Sequence, residues 1–268
     1  MIKNYKLYKR VWIFANEAHS ECELEDQSVN QLFGRGGWMV RNTFNFDCSQ
    51  ETTFWYVIKD SFGGMDELSP KMRNQVKRCF KTMAVSQVSA DCLLQYGYEV
   101  FVAAAANYKI KAVPPTRKEF ESRIKNAEEN EYWACFDIDT NKMVAFCMNA
   151  VSDESCEYRT MKAIPEYQKK YAYYGLIYEM NRYYLAERSL KYVNDGARSI
   201  TNHSNMQPFL IEKFRFRKAY CNLRIYYKWW IGIVVKLLFP FRSIIKIRSV
   251  RAVLDLESMA RENVVLNQ

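Results

Sequence analysis

The feature that most constrains the fold is a series of short alternating segments that begins near Glu131. The runs EYWACFDIDT and MVAFCMNAVSD are rich in aromatic and β-branched residues, and turn residues at Asn141 separate them. SCEYRTMKAI indicates a third strand, and a long helical run follows Pro165. The strand KYVNDGARSI, a helix from Asn205 to Phe214 and the strand RKAYCNLRIYYK complete the series. We therefore predict three antiparallel strands followed by helix, strand, helix and strand.

The first part of the chain shows a different mixture of elements. The first 60 residues indicate short strands, of which TTFWYVIKD is the best, and Gly63-Gly64 marks a turn after it. Ser69 and Pro70 suit the start of a helix over KMRNQVKRCFKTM. Two further helices are expected, over 90–96 and after Pro115. We divide the chain into an N-terminal half (1–125), a core (126–228) and a C-terminal segment (229–268).

Composition is that of an ordinary globular protein, with 49% hydrophobic and 26% charged residues over 268 positions. The net charge of +9 is unevenly placed. Eleven Lys or Arg and no acidic residue lie between Lys213 and Arg251, while the rest of the chain carries 28 basic and 30 acidic residues. Attraction to phosphate or lipid headgroups is therefore expected in the C-terminal segment.

The eight cysteines indicate free thiols in a reducing compartment. None of them forms a C-x-x-C pair, and no histidine lies near two of them, so no metal site is expected. The N-terminus has only a short apolar run, and no uncharged span reaches the roughly 20 residues that cross a bilayer. We predict a cytoplasmic protein.

The order of elements resembles that of the GNAT acyltransferases over about 100 residues. The stretch NMQPFLIEKFRFRKAY is similar to the family's helix that enters the last strands, with Asn205, Phe214 and Phe216 in comparable places. Upstream, FWYVIKD followed by SPKMRNQVKRC is similar to Fem-type transferases, which contain two GNAT-like halves and join amino acids from aminoacyl-tRNA to cell-wall precursors. The resemblance implies an α/β (α+β) fold with a mixed, mostly antiparallel sheet flanked by helices, a degenerate N-terminal GNAT-like half and a basic, apolar C-terminal helix.

The resemblance also implies acetyl-CoA or another acyl-CoA as co-substrate, without a metal. GNAT enzymes hold the CoA pyrophosphate with a Q/R-x-x-G-x-G/A loop at a helix N-terminus. Lys170 to Gly175 is the comparable stretch, with Tyr173 at the central glycine; a register from Gln168 places tyrosines at both glycines. The family's catalytic tyrosine falls at Ile211, and its glycine before the phenylalanine falls at Arg215. The predicted cofactor-binding residues are Gln168, Lys169, Lys170, Tyr173, Gly175 and Asn205.

Acyl transfer requires a base for the acceptor and donors for the developing oxyanion. Asp195, Glu157 and His203 are the candidate bases, each with a plainer alternative: a turn residue, a solvent-facing strand residue and a capping-loop histidine. Arg159 and Arg198 are candidates for binding an acidic substrate, or surface residues. The expected acceptor is an amine or hydroxyl, such as an amino sugar or a lipid-linked glycan intermediate.

The segment WWIGIVVKLLFPF carries one charge and is flanked by basic residues. It is too short to span a bilayer, so Trp229–Arg251 suits an interfacial helix on anionic lipid, peripheral to the inner face of a membrane. The alternative is a helix packed on its own domain or on a second subunit of an oligomer. Two other functions stay open: a Fem-like ligase that uses aminoacyl-tRNA, less favoured because the chain is short, and a non-catalytic GNAT-like protein that binds membrane or nucleic acid.

Overall fold

A computed structural model describes residues 4–106, 114–127, 130–200 and 205–265, with side chains described up to Glu262. The chain forms two compact units. The first contains Met1–Val57, Ala197–Gln207 and Lys218–Gln268, and the second contains Ile58–Gly196 and Pro208–Arg217. Both units are discontinuous in sequence, so the boundaries at 125/126 and 228/229 stay predictions.

The second unit contains the strands that the sequence predicted from Glu131 onward. In spatial order they are β9 (Tyr192–Ala197), β8 (Ser155–Ala163), β7 (Met143–Val151), β6 (Asn130–Asp137) and β5 (Met83–Val88). Antiparallel pairing joins β5 to β6, β6 to β7 and β7 to β8, whereas β8 and β9 are parallel. The predicted hairpin and third strand are confirmed. Strand β5 was not predicted, and Met83, which we placed on the preceding helix, begins it.

Six helices accompany this sheet: α2 (Pro70–Thr82), α3 (Ala90–Ala106), α4 (Arg117–Lys125), α5 (Pro165–Lys169), α6 (Ala172–Asn181) and α7 (Met206–Phe214). The α2 cap is as predicted, because Ser69 Oγ accepts the Met72 N–H at 3.3 Å and Pro70 takes the first position. The single long helix predicted after Pro165 is wrong. Tyr171 adopts a left-handed backbone (φ 72°, ψ 28°) that separates α5 from α6, and α6 continues into a π-helical turn over Arg182–Glu187.

The first unit contains β1 (Tyr5–Tyr8), β2 (Val11–Phe14), β3 (Met39–Phe44), β10 (Arg217–Tyr227, from Lys218 onward) and β4 (Phe54–Lys59, as far as Val57), in that spatial order. Its helices are α1 (Asp26–Gly34), α8 (Trp229–Leu238) and α9 (Arg248–Val265). Helix α1 was not predicted; it buries Val29 and Leu32. No helix of the described residues is long and apolar enough to cross a membrane. The α/β class, with mostly antiparallel strands flanked by helices, is confirmed.

Each unit has its own apolar core. In the second unit, helices α3 and α4 cover one face of the sheet, where Leu93, Phe120 and Phe146 are fully buried. In the first unit, Leu32 of α1 and Val40 of β3 belong to one buried cluster. Burial of this apolar area is the main stabilising contribution in both.

Candidate functional site

Strands β8 and β9 part from one another in the second unit. They pair in parallel only at Ser155–Tyr192, Cys156–Val193 and Glu157–Asn194, although β8 continues to Ala163. Within the part of the chain that the structure describes, no strand pairs with the β9-facing edge of β8 beyond Glu157. This divergence makes the edge of β8 beyond Glu157 a candidate place for a ligand.

Asp195 lies immediately beyond Asn194, the last residue of β9 that pairs with β8. Asn194 fixes the local backbone, since its Nδ2 donates to Cys156 O at 3.3 Å and its Oδ1 accepts the Gly196 N–H at 3.0 Å. Gly196 has φ 78°, a conformation that favours glycine. Burial raises the Asp195 carboxyl pKa from 3.8 to about 7, and the negative charge of Glu157 adds to the increase. Near neutral pH this carboxyl can therefore both accept and donate a proton.

Glu157 and Arg159 form an ion pair on β8. Arg159 Nε donates to Glu157 Oε2 at 2.7 Å, and both side chains are substantially exposed. Because Glu157 is in register with Asn194, its side chain shares a face with Asn194, whereas Asp195 points to the opposite face. The structure thus pairs one predicted base, Glu157, with a predicted substrate-binding residue, Arg159. Asp195 is the predicted base whose carboxyl is buried.

A buried polar network lies on the sheet next to α6 and its π-helical turn. Tyr184 Oη accepts from Trp133 Nε1 at 3.0 Å and from Asn149 Nδ2 at 3.2 Å, and it donates to Glu131 Oε2 at 3.0 Å. Burial raises the pKa of the Tyr184 phenol, so the phenol stays neutral and acts as a donor. Single π-helical turns are frequent at functional sites.

Tyr158, on strand β8, is also buried. Its phenol donates to Asn181 Oδ1 at 2.9 Å. Burial is the first cause of its raised pKa, and the charge of Asp195 contributes further. The sequence analysis missed Tyr158, Tyr184, Asn149 and Asn181. The two asparagines within apolar runs were the sequence signal that could have indicated them.

In the turn between α5 and α6, two of the backbone N–H groups are already engaged. The Lys170 and Tyr171 N–H groups donate to Tyr167 O and Gln168 O, each at 3.1 Å, within the turn itself. Gln168 Nε2 donates to Ala163 O at 3.0 Å and so ties α5 to the end of β8. Lys169 and Lys170 are exposed, and the Lys170 ammonium lies 4.6 Å from the centre of the Tyr167 ring.

Gly175 and Tyr173 lie inside helix α6, not in a loop. A Cβ at Gly175 would lie 2.4 Å from Cys79 Sγ and 3.3 Å from Cys79 Cβ, on helix α2. This glycine is therefore required for the close contact between α2 and α6. The structure gives Gly175 a packing role, whereas the resemblance to the GNAT loop implied that Gly175 contacts pyrophosphate.

We expect Gly175→Ala to lower the free energy of unfolding by about 1–3 kcal/mol, because the added methyl group overpacks the α2–α6 contact. Cys79→Ala in the same chain removes the clashing sulfur, so the double variant should regain part of that loss. Urea unfolding of the two single variants and the double variant measures the coupling. Strictly additive losses would show that the two side chains do not compete for the same space.

The remaining predicted residues are dispersed. In the first unit, Arg198 donates its backbone N–H to Trp55 O at 2.8 Å and a guanidinium N–H to Thr53 O. Both the backbone and the side chain of Arg198 therefore bind the start of strand β4. Asn205 is exposed just before α7. His203 lies outside the described residues.

Two residues near α7 have roles that the sequence did not indicate. Gln207, which belongs to the first unit together with Ala197 and Ser199, is buried: its Nε2 donates to Ala197 O at 2.9 Å and its Oε1 accepts the Ser199 N–H at 3.1 Å. Arg215, at the family's glycine position, has φ 60°, so the left-handed conformation is kept without a glycine. In the described part of the chain, no group of three or more His, Cys, Asp or Glu could hold a metal ion.

Asp195→Asn should stabilise the protein at high pH. A carboxyl whose pKa is higher in the folded state stabilises the fold when protonated, and this stability is lost as the pH rises from about 4 to about 7. We therefore expect the variant to gain about 4 kcal/mol in the free energy of unfolding at about pH 8 and almost nothing at about pH 4. Thermal melts at both pH values check this; an equal effect at both would contradict it.

Comparison with known proteins supports the fold but not a specific relative. No protein-family model and no curated protein matches the sequence.

Among solved structures, FemX superposes with a TM-score of 0.56 at 9% identity, covering 87% of this chain and 85% of its own. L-PGS from Bacillus licheniformis gives 0.52 at 10% identity, covering 87% and 83%. The C-terminal domain (DUF2156) of a putative lysylphosphatidylglycerol synthetase from Agrobacterium fabrum gives 0.51 at 12%, covering 82% and 79%. The chain has the GNAT/Fem-like fold.

Proposed function

We propose that this chain is an acyltransferase that moves an acyl group from an activated ester or thioester to an amine or hydroxyl acceptor. The observation that carries the proposal is the Asp195 carboxyl, whose pKa is raised to about 7 at the divergence of β8 and β9. A carboxylate with that pKa is suited to act as a general base near neutral pH. The GNAT/Fem-like fold is consistent with this chemistry.

In the proposed step, the acceptor nitrogen or oxygen attacks the acyl carbonyl carbon and forms a new C–N or C–O bond. Asp195 takes the acceptor's proton, the bond from the acyl carbon to the donor's oxygen or sulfur breaks, and the leaving group is protonated in turn. In this proposal, backbone N–H groups at the edge of β8 beyond Glu157 stabilise the oxyanion, since β9 does not pair with that edge. The neutral phenol of Tyr158 maintains the shape of the site beside this base.

An aminoacyl ester suits the site better than an acyl-CoA. The N–H groups of Lys170 and Tyr171 are engaged within their own turn, and Cys79 occupies the space beside Gly175, so these three residues would not supply backbone contacts to a pyrophosphate. The name of one structural neighbour states lysylphosphatidylglycerol, an aminoacylated lipid, as its product. We extend this chemistry to the present chain: an aminoacyl group, carried by tRNA as in Fem-type transferases, moves to an amine or hydroxyl.

Acetyl-CoA, or another acyl-CoA, is the second candidate donor. Lys169 and Lys170 are exposed just ahead of the N-terminus of α6, where their charges and the helix dipole attract phosphate. The acceptor would then be an amino sugar or a lipid-linked glycan intermediate.

Two measurements separate the donors. Isotope-labelled aminoacyl-tRNA is incubated with the protein and amine or hydroxyl acceptors, and mass spectrometry follows the label; titration calorimetry with acetyl-CoA runs alongside. We expect label transfer and no acetyl-CoA binding at millimolar ligand. Binding of acetyl-CoA without transfer from aminoacyl-tRNA would favour the second donor, and failure of both would contradict an acyltransferase.

A further inference from the structure

Helix α8 has its apolar side turned outward. Trp229 is 79% exposed and Leu237 66% exposed, and Trp230, Ile233 and Val234 are also exposed. Val235 is the buried residue of this ten-residue helix, which packs on α9. Large apolar side chains therefore cover more of the solvent-facing side than of the packed side, the reverse of an ordinary surface helix.

The apolar surface continues beyond the end of α8. Phe241, Ile244 and Ile247 are exposed in the segment that leads to α9, with Ile244 at 70% and Ile247 at 65%. A contiguous apolar area of this kind on a folded unit marks an interaction site. We call the exposed large apolar and basic residues of this segment the 229–248 surface: Trp229, Trp230, Ile233, Val234, Lys236, Leu237, Phe241, Arg242, Ile244, Lys246, Ile247 and Arg248.

Basic side chains are interspersed through the same surface. Lys236, Arg242, Lys246 and Arg248 are all exposed, and no Asp or Glu occurs between Lys213 and Arg251. Apolar side chains beside cations, without an acidic residue, match the boundary of an anionic bilayer, where rings and aliphatic chains enter the acyl region and cations contact phosphate.

We propose that the 229–248 surface docks the first unit onto an anionic lipid bilayer. A second copy of the chain fits less well, because a two-fold interface would bring the same cations face to face. Nucleic acid would engage the cations and leave the tryptophans and isoleucines in water. The proposal concerns where the protein resides and does not depend on its acyl donor.

Vesicle sedimentation tests the proposal with the full chain. Wild type should pellet with vesicles that contain phosphatidylglycerol and stay largely in the supernatant with phosphatidylcholine alone, and added salt should release it. Trp230→Glu with Leu237→Glu should lower the partition coefficient at least tenfold, roughly the effect of removing two apolar anchors. Arg242→Glu with Lys246→Glu should lower binding to anionic vesicles by about as much.

Ile138→Glu is the matched control, because Ile138 is an exposed apolar residue of the second unit and its replacement should leave vesicle binding unchanged. Brominated lipids provide a readout that needs no variant, since Trp229 and Trp230 should be quenched on docking. The proposal would be overturned if the tryptophan fluorescence is not quenched, or if the protein binds neutral and anionic vesicles equally. It would also be overturned if Ile138→Glu weakens binding as much as the surface variants do. A dimer that the Trp230/Leu237 variant abolishes, with no vesicle binding, would identify a second copy as the occupant.

Discussion

Asp195→Asn is expected to lower kcat/KM for acyl transfer by about 10²–10⁴-fold, the usual contribution of a positioned general base. Asparagine keeps the size of the side chain but cannot take the acceptor's proton. Burial is the main cause of the raised pKa of this carboxyl, and asparagine keeps the buried side chain neutral at every pH. Initial rates with the donor that supports transfer measure it.

The pH dependence of kcat/KM should show the ionisation of the Asp195 carboxyl. The base must be ionised to act, so wild-type kcat/KM should rise with pH and level off above about 7. The residual activity of Asp195→Asn should lack that rise. Asp153→Asn, which changes an exposed aspartate in the turn before β8, should leave rate and profile unchanged. An unaltered profile in Asp195→Asn would assign the base to another residue.

The second large effect concerns stability. Lys59 and Glu67 form an ion pair in the second unit with Nζ and Oε2 2.9 Å apart, where Lys59 is 2% exposed; Glu67 Oε2 also accepts the Gly63 N–H at 3.1 Å. Glu67→Met leaves the buried ammonium without its partner. We expect the free energy of unfolding to fall by about 3–5 kcal/mol, because a buried unpaired charge is strongly destabilising.

Removing both charges should restore most of that loss. Lys59→Met combined with Glu67→Met replaces the buried pair with apolar side chains, a change that is often neutral. The exposed pair Glu121–Lys125 provides the control, and Glu121→Met should cost less than about 1 kcal/mol. Urea unfolding measures all variants. A double variant as unstable as Glu67→Met would show that packing, not charge, determines the loss.

The sequence predicted elements well where the pattern is local. The alternation from Glu131, the turn at Asn141 and the Ser69-Pro70 cap all depend on neighbouring residues, and the structure contains each. Strand β5 follows α2 without an intervening glycine or proline, and its conformation is set by pairing with β6. Such pairing between distant segments cannot be derived from the six residues themselves.

The candidate site was less predictable. The Asp195-Gly196 pair indicated a turn in the sequence, but the raised pKa arises from burial, which depends on the folded unit. Tyr171 adopts a left-handed conformation without a glycine, so the long helix looked continuous in sequence. The partners of Tyr184 come from several separate elements and meet only after folding.

A carbon-13 NMR titration of the Asp195 carboxyl, assigned with Asp195→Asn, tests the central claim most directly. The free protein should show a carboxyl that titrates near 7, and a stable amide analogue of an aminoacyl ester should shift that resonance. A carboxyl that titrates near 4 and does not respond to the analogue would contradict acyl transfer at this site.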